Sequence, residues 1–266
     1  MKVSFLGAGL YGEALGKLAE LNEHEVKYYD PYRFPDIKLK DVISEAEAIV
    51  YVAPAEAYRE LLSELPAEIP LILASKGFVS MKPFVRFRDF SALGGAAFAE
   101  DIMEMKPKNG LPIFLTASSP LAAEIFTTDF VTIEYTKDTK GVMLLGALKN
   151  VYAIGAGMMM DSKRPEEYLS LAYQEMREIL EANGGNAETA GLSCGVPDLI
   201  ISCTPDGRNY RFGLEIRRHP RSQIEPVGTV EGVTVISSLK KFPDFKIPEG
   251  LELFDKIVKK VKNATR

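Results

Sequence analysis

Lys149 stands in the middle of an apolar run, Leu144-Leu145-Gly146-Ala147-Leu148-Lys149-Asn150-Val151-Tyr152-Ala153-Ile154. An ammonium in such surroundings must reach water, find a partner or lose its proton, because burying an unpaired charge is expensive. Snorkelling to water is the ordinary outcome for an arbitrary lysine. Asn150 beside it, and glycines at 141, 146, 155 and 157, predict instead a closely packed, ligand-lined surface. A cation held there can polarise a carbonyl and hand over a proton.

Other polar groups sit at places that suit the same chemistry. Asp198 adjoins the apolar residues Leu199-Ile200-Ile201, which makes it a candidate partner for a buried lysine rather than a solvated acid. Arg208 and Asn209, with Ser202 and Thr204 nearby, compose a candidate anion site, since the planar fork of arginine suits phosphate. A surface loop with an N-capping aspartate is the plain alternative. Lys76, in Leu73-Ala74-Ser75-Lys76-Gly77, falls where a strand ends and a loop begins. Ligands of doubly wound sheets gather beyond the carboxyl ends of the strands. A lysine before a glycine is otherwise simply solvated.

The third constellation is Gly7-Ala8-Gly9-Leu10-Tyr11-Gly12, a GxGxxG that follows a predicted strand and opens a predicted helix. In that context Gly7 permits the turn, Gly9 lets a pyrophosphate approach the backbone, and Gly12 lets helix and strand pack closely. Asp30 ends the second predicted strand, 18 residues after Gly12. That is close to the spacing of about 20 expected for a ribose-binding acid. Capping of the turn before Pro31 is its plain alternative. A carboxylate there favours NAD over NADP, because it repels a 2′-phosphate. Arg33 pulls the other way, since an arginine nearby can accept that phosphate.

The elements that must position these groups follow from periodicity. Strands are predicted at 3–6, 26–29, 48–53, 71–74, 91–94, 113–117 and 131–135, with helical spacing between them, as in Ala14, Leu18 and Leu21. Strands alternating with helices imply an α/β fold, a Rossmann-like, mostly parallel, doubly wound domain over residues 1–136. After Thr136-Lys137-Asp138 strand signals nearly vanish. A mostly α-helical substrate domain is predicted for 137–266, ending in a helix at 249–261. The apolar stretch 142–160 approaches the length of a membrane span. Lys149 and Asn150 at its centre make it a helix buried in protein instead.

Composition narrows the function classes. The 266 residues carry a net charge of −5, so no overall basic field draws the chain to nucleic acid or anionic lipid. Arg208, Arg211, Arg217, Arg218 and Arg221 form a local basic segment with few interleaved aromatics, more simply a phosphate site plus a solvated helix. Two cysteines, Cys194 and Cys203, and two histidines, His24 and His219, are too few for a disulfide scaffold or a Cys/His zinc site. No metal is predicted, and a reducing cytoplasm fits best. The first residues do not read as a signal peptide. Met158-Met159-Met160 reads as core filler.

On these residues the chain resembles the NAD(P)-dependent glycerol-3-phosphate dehydrogenases. The matching pieces occur in family order: Gly7-Ala8-Gly9 to Gly12, Ser75-Lys76-Gly77, Gly95-Ala96-Ala97-Phe98-Ala99-Glu100, Gly146 to Val151, and Ser193 to Asn209, followed by Val230-Glu231-Gly232. The resemblance implies that Lys149 is the catalytic lysine, Asp198 its paired acid and Lys76 a second lysine facing the substrate. It implies that Asn150 and Ser202 surround the substrate, and that Arg208 and Asn209 hold its phosphate. The cofactor, NAD with NADP possible, would lie on Gly7, Gly9, Leu10, Tyr11, Gly12, Asp30, Pro54 and Ala97, with Arg208 also near it.

The implied reaction interconverts dihydroxyacetone phosphate and sn-glycerol 3-phosphate by hydride transfer, in a homodimer serving lipid or redox metabolism. The sequence departs from the family in three places. The stretch between Asp30 and Val42 is short, and one extra residue separates Asp198 from Arg208. A glycine-rich segment after Asp161 is replaced by Ser162-Lys163-Arg164-Pro165-Glu166-Glu167. Two rival readings stay open: a same-fold reductase of another small phosphorylated or carboxylated carbonyl compound, and a non-catalytic nucleotide-binding protein.

Overall fold

The computed structural model describes residues 1–105, 112–159, 164–220, 223–225 and 228–265. Met160, Asp161, residues 162–163 of the altered segment and Arg221 lie outside the described residues. The chain divides into two compact units. The first comprises Met1–Ser75 and Met81–Val142, the second Lys76–Ser80 and Met143–Arg266. The division therefore falls at 142, six residues beyond the composition change at 136, and gives residues 76–80 to the second unit.

The first unit is built on a seven-stranded sheet: β1 (Lys2–Leu6), β2 (Glu25–Tyr29), β3 (Ala48–Tyr51), β4 (Leu71–Leu73), β5 (Phe90–Gly95), β6 (Ile113–Ala117) and β7 (Val131–Tyr135). Their order is β2-β1-β3-β4-β5-β6-β7. The first five run parallel, β6 is antiparallel to β5, and β7 is parallel to β6. All seven predicted strands are present, and the sheet is mostly parallel and doubly wound. Its order reverses at β1, which pairs with β2 on one side (Val3↔Val26) and β3 on the other (Val3↔Ala48). The carboxyl ends of β1 and β3 are thus the switch point at which such sheets bind ligands.

Among the described residues five helices of this unit lie between or after the strands, α1 (Leu10–Leu21), α2 (Leu39–Ile43), α3 (Tyr58–Glu64), α4 (Ala99–Met103) and α5 (Pro120–Phe126), and both faces of β1 are covered. Val3 and Phe5 join a buried core with Ala14, Leu15, Leu18 and Ala19 of α1 (Leu10–Leu21). Ser4, pointing the other way, donates its hydroxyl to the carbonyl of Val42 in α2 (Leu39–Ile43) at 2.8 Å. The helical spacing of the apolar residues in α1 thus meets the period of two in β1. Asn22 caps the end of α1, and its amide also donates to the carbonyls of Ile125 and Thr127 at 2.9 and 2.7 Å.

Within the second unit the described regular elements are helical: most of α6 (Thr139–Met159), α7 (Pro165–Ala182), α8 (Val196–Ser202), α9 (Arg208–Arg218), α10 (Glu231–Ser238) and α11 (Glu252–Ala264), with short 3₁₀ turns. The apolar window of α6 is entirely buried within the protein, as its central lysine predicted. The final helix starts three residues later than periodicity suggested. Gly250, with φ +84°, ends the preceding turn in a left-handed conformation that a helix beginning at 249 does not allow. Glu175, buried in α7, accepts the backbone N–H groups of Leu253 and Phe254 at 2.8 Å each and the Tyr152 hydroxyl at 3.0 Å. A carboxylate at the N-terminus of α11 complements the helix dipole and ties that helix to α6 and α7.

Candidate active site

The glycine motif forms the turn from β1 into α1. At Gly7, φ is +110° and a Cβ would stand 2.7 Å from the Ala53 nitrogen. At Gly12 a Cβ would overlap the Gly7 carbonyl oxygen, whereas at Gly9 it would meet nothing within 4 Å. Two glycines therefore let the turn close on itself, and the third leaves open space beside the N-terminus of α1, where Gly9 provides no side-chain cap. That opening is a cradle which any side chain at Gly9 would fill, and it fits a pyrophosphate. Leu10, 67% exposed, and Tyr11 form the first turn. Pro54 follows β3 and accepts the Tyr51 hydroxyl at 3.0 Å, and Ala97 follows β5. The predicted nucleotide-binding residues of this unit thus lie at the carboxyl ends of β1, β2, β3 and β5.

Asp30 takes the capping role in the turn after β2 and also holds the glycine turn. One carboxylate oxygen accepts the Ala8 N–H of the glycine turn at 2.9 Å, and the other accepts from Tyr32 and Arg33 backbone nitrogens at 3.0 and 3.3 Å. The guanidinium of Arg33 pairs with Glu13 at 2.5 Å and donates to the Ala8 carbonyl.

In the second unit α6 carries Lys149 into a buried cluster. Its ammonium lies 2.5 Å from Asp198 Oδ1 and donates to Ser202 Oγ at 2.8 Å. Lys76 Nζ approaches the other oxygen, Asp198 Oδ2, at 3.4 Å. Asp198 is fully buried in the first turn of α8, and Ser202 ends the same helix. Burial drives the Lys149 pKa down to about 8; the Asp198 carboxylate opposes that shift and Lys76 reinforces it. A lysine so placed is protonated at neutral pH yet close enough to its pKa to release the proton. Burial pushes the neighbouring Cys203 thiol up to about 12, so it is a neutral thiol.

Asn150, one residue on, donates from Nδ2 to the carbonyls of Lys76 at 3.0 Å and Gly146 at 3.2 Å. Its Oδ1 accepts from Asn209 at 3.0 Å. Asn209 Oδ1 in turn accepts the Gly232 N–H at 3.0 Å, and its Nδ2 also lies 3.4 Å from Glu231 Oε2. Arg208 pairs with Glu231 Oε1 at 2.8 Å. The structure therefore brings Lys76, Lys149, Asn150, Asp198, Ser202, Arg208 and Asn209 into one hydrogen-bonded assembly within the second unit. Glu231, matched only as part of Val230-Glu231-Gly232, is a member to which sequence reasoning gave no role. An acid in the first turn of a helix reads only as a complement to its dipole.

Close approach of α9 to α6 makes this assembly possible. A Cβ at Gly213 would overlap the Ile154 carbonyl oxygen, and one at Gly157 would overlap that of Tyr210. Gly213→Ala is therefore expected to force α9, with Arg208 and Asn209, away from α6. The cost should be about 2–3 kcal/mol of stability, since overpacking against backbone has no side chain to yield. A denaturation midpoint indistinguishable from wild type would contradict it.

Among the described residues no group of three or more His, Cys, Asp or Glu could hold a metal ion. His24 Nδ1 lies 3.3 Å from the N-terminal nitrogen, and His219 lies 3.7 Å from Glu215.

A glycine turn at the switch point of a doubly wound sheet, with a buried lysine–carboxylate pair in a helical unit, defines the class of nicotinamide-dependent dehydrogenases. Residues 138–264 match the family model described as the C-terminus of NAD-dependent glycerol-3-phosphate dehydrogenase. The glycerol-3-phosphate dehydrogenase (NAD(P)+) of Brucella ovis is 30% identical over 267 residues, covering 82% of this chain and 80% of that protein. The chain belongs to the NAD(P)-dependent glycerol-3-phosphate dehydrogenase family. A protein of the same name from Neorickettsia sennetsu is 32% identical over 196 residues, covering 66% of this chain and 58% of that protein, so that match spans less than two thirds of the relative. The crystal structure of glycerol-3-phosphate dehydrogenase from Coxiella burnetii shares the fold, with a TM-score of 0.81 at 17% identity, covering 98% of this chain and 97% of that one.

Proposed function

We propose that this protein is a glycerol-3-phosphate dehydrogenase that interconverts dihydroxyacetone phosphate and sn-glycerol 3-phosphate, using NAD in preference to NADP. The observation that carries this reading is the buried Lys149 ammonium, held by Asp198 and Ser202 with Lys76 on the far oxygen of the same carboxylate. The nicotinamide cofactor supplies hydride for reduction and accepts it for oxidation. The chain's own residues do the rest. As the carbonyl oxygen gains negative charge, Lys149 stabilises it and delivers a proton, directly or through water. Asp198 keeps that ammonium charged and aimed, and Lys76 adds a second positive group. Arg208 and Asn209, both now held by Glu231, would turn from it to hold the substrate phosphate and orient its central carbon. Gly7, Gly9, Leu10, Tyr11 and Gly12, with Asp30, Pro54 and Ala97, would hold the nucleotide, and Arg208 would reach it too.

In this reading the Rossmann-like domain, 1–136, binds nucleotide and the helical domain, 137–266, binds substrate. The enzyme is further proposed to be a cytoplasmic homodimer that feeds glycerol phosphate into lipid synthesis, and sedimentation of the purified protein tests the dimer.

The deciding experiment is NADH oxidation by the purified protein with dihydroxyacetone phosphate, with unphosphorylated dihydroxyacetone as control. Turnover that requires the phosphate supports the reading. Better turnover of another keto phosphate or keto acid would replace it with a same-fold reductase, the reading that the altered segment after Asp161 favours. Binding of NADH without turnover of any of them would favour the non-catalytic reading.

Arg208→Ala should raise KM for dihydroxyacetone phosphate about 10–100-fold with a smaller loss in kcat, because hydrogen bonds to charged groups contribute roughly 1.5–3 kcal/mol. An unchanged KM would remove Arg208 from the phosphate site.

A further inference from the structure

The loop after β2 and the first turn of α1 place three charges around the backbone of one residue, Ala8. Asp30 accepts its N–H at 2.9 Å, and Arg33 donates to its carbonyl. The third charge is Glu13, the residue after Gly12, whose Oε1 lies 2.5 Å from the same Arg33 nitrogen. Arg33 also lies 5.8 Å from the centre of the Phe34 ring. Two carboxylates and one guanidinium leave this rim of the glycine turn with a net charge of about −1. The only cation of the three is already committed to an acid.

We propose that Glu13 sets the nucleotide preference of this protein: by holding Arg33 against the glycine turn, it withholds from a 2′-phosphate the guanidinium of this rim. The inference rests on the reading of the glycine turn as a dinucleotide site and adds to it the residue that discriminates between the two nucleotides. A ribose with a free 2′-hydroxyl presents no charge to this rim and needs only an acceptor, which Asp30 supplies. A 2′-phosphate brings about two negative charges to a rim that is itself negative. To be paired it must draw Arg33 away from Glu13. Asp30 alone is an incomplete explanation, because an arginine three residues later would otherwise offset it. The Glu13–Arg33 pair removes that offset without removing the arginine. The position of Glu13, just past the last motif glycine, is what lets an acid on α1 reach a side chain from the loop after β2.

The test is calorimetric binding of ADP-ribose and 2′-phospho-ADP-ribose to the full-length protein, which needs no turnover. Wild type should bind the unphosphorylated probe more tightly. Glu13→Gln, isosteric and at a partly exposed position, should shift the ratio of the two dissociation constants about fivefold towards the phosphorylated probe, as expected for freeing a half-exposed charge. Adding Arg33→Gln to that variant should reverse the shift, because the freed guanidinium is what gained the phosphate. A ratio that Glu13→Gln leaves unchanged, or a wild type that prefers the phosphorylated probe, would overturn the role of Glu13 while the dinucleotide site stood. Failure of wild type to bind either probe would overturn the site and the inference together.

Discussion

Lys149→Met should reduce kcat for dihydroxyacetone phosphate reduction by about 10³–10⁴-fold, while binding of NADH, measured by its fluorescence, persists. The size follows from two effects lost together: general acid catalysis contributes typically 10²–10⁴-fold, and a charge aimed at a developing oxyanion contributes a comparable amount. They are not additive, because one ammonium performs both. Methionine keeps the length and apolar stem, so α6 keeps its packing. The same residue predicts the pH dependence of wild type. Reduction needs the ammonium, whose pKa burial lowers to about 8, so kcat/KM for reduction should be level near neutrality and fall as pH rises through about 8. Oxidation needs the free amine as base and should rise through the same range. Ordinary turnover by the methionine variant, or wild-type profiles in the two directions with the same slope near pH 8, would remove Lys149 from the chemistry.

Asp198→Asn is the second large effect, and it acts on stability as well as rate. The carboxylate lies between two ammonium groups, 2.5 Å from Lys149 and 3.4 Å from Lys76. An amide keeps the shape but removes the charge that holds a proton on Lys149. Leaving a buried charge unpaired costs about 3–5 kcal/mol. Lys149 can escape part of that cost only by giving up its proton, so its pKa should fall below neutrality. Reduction at pH 7 should therefore drop by about 10²-fold or more, and the alkaline limb of its profile should move to lower pH. Chemical denaturation and the pH profile are separate readouts. A limb that stays near pH 8 would mean that Asp198 does not hold the proton on Lys149. An unchanged denaturation midpoint would mean that Lys149 is not a charge buried at a cost.

Much of the fold was legible because its signals are local. Each strand of the first unit shows as a short apolar run bounded by turn residues, and α1 shows as a stripe at helical spacing. The edges were less legible. The strand predicted at 48–53 stops at Tyr51, because Ala53 already packs its backbone against Gly7, 46 residues earlier. The antiparallel direction of β6 has no local signature, since apolar alternation reads the same in either direction. The division between units falls inside α6, whose first residue, Thr139, donates its hydroxyl to Ser118 at 2.9 Å in the first unit. A change of composition marks where strands cease. It does not mark where contacts divide.

For the candidate site, residue types and spacing singled out Lys149, Asp198, Arg208 and the glycine turn, because a charge in an apolar run and a glycine pattern after a strand are physical anomalies within a few residues. The partners were not visible in that way. Lys149 meets Asp198 across 49 residues and Lys76 meets it across 122. Asn150 and Asn209, which suggested direct contacts to substrate, spend amide groups on each other and on the backbones of Lys76 and Gly232. Glu231 and Glu13 carry no local anomaly at all, since an acid early in a helix is ordinary. The sequence by itself determined the strands, the helices, the glycine turn and the kinds of charge available, because these follow from sterics and periodicity over a few residues. Only the tertiary structure decided which charges neutralise one another, because electrostatic energy depends on distance and burial, and both arise when remote segments pack.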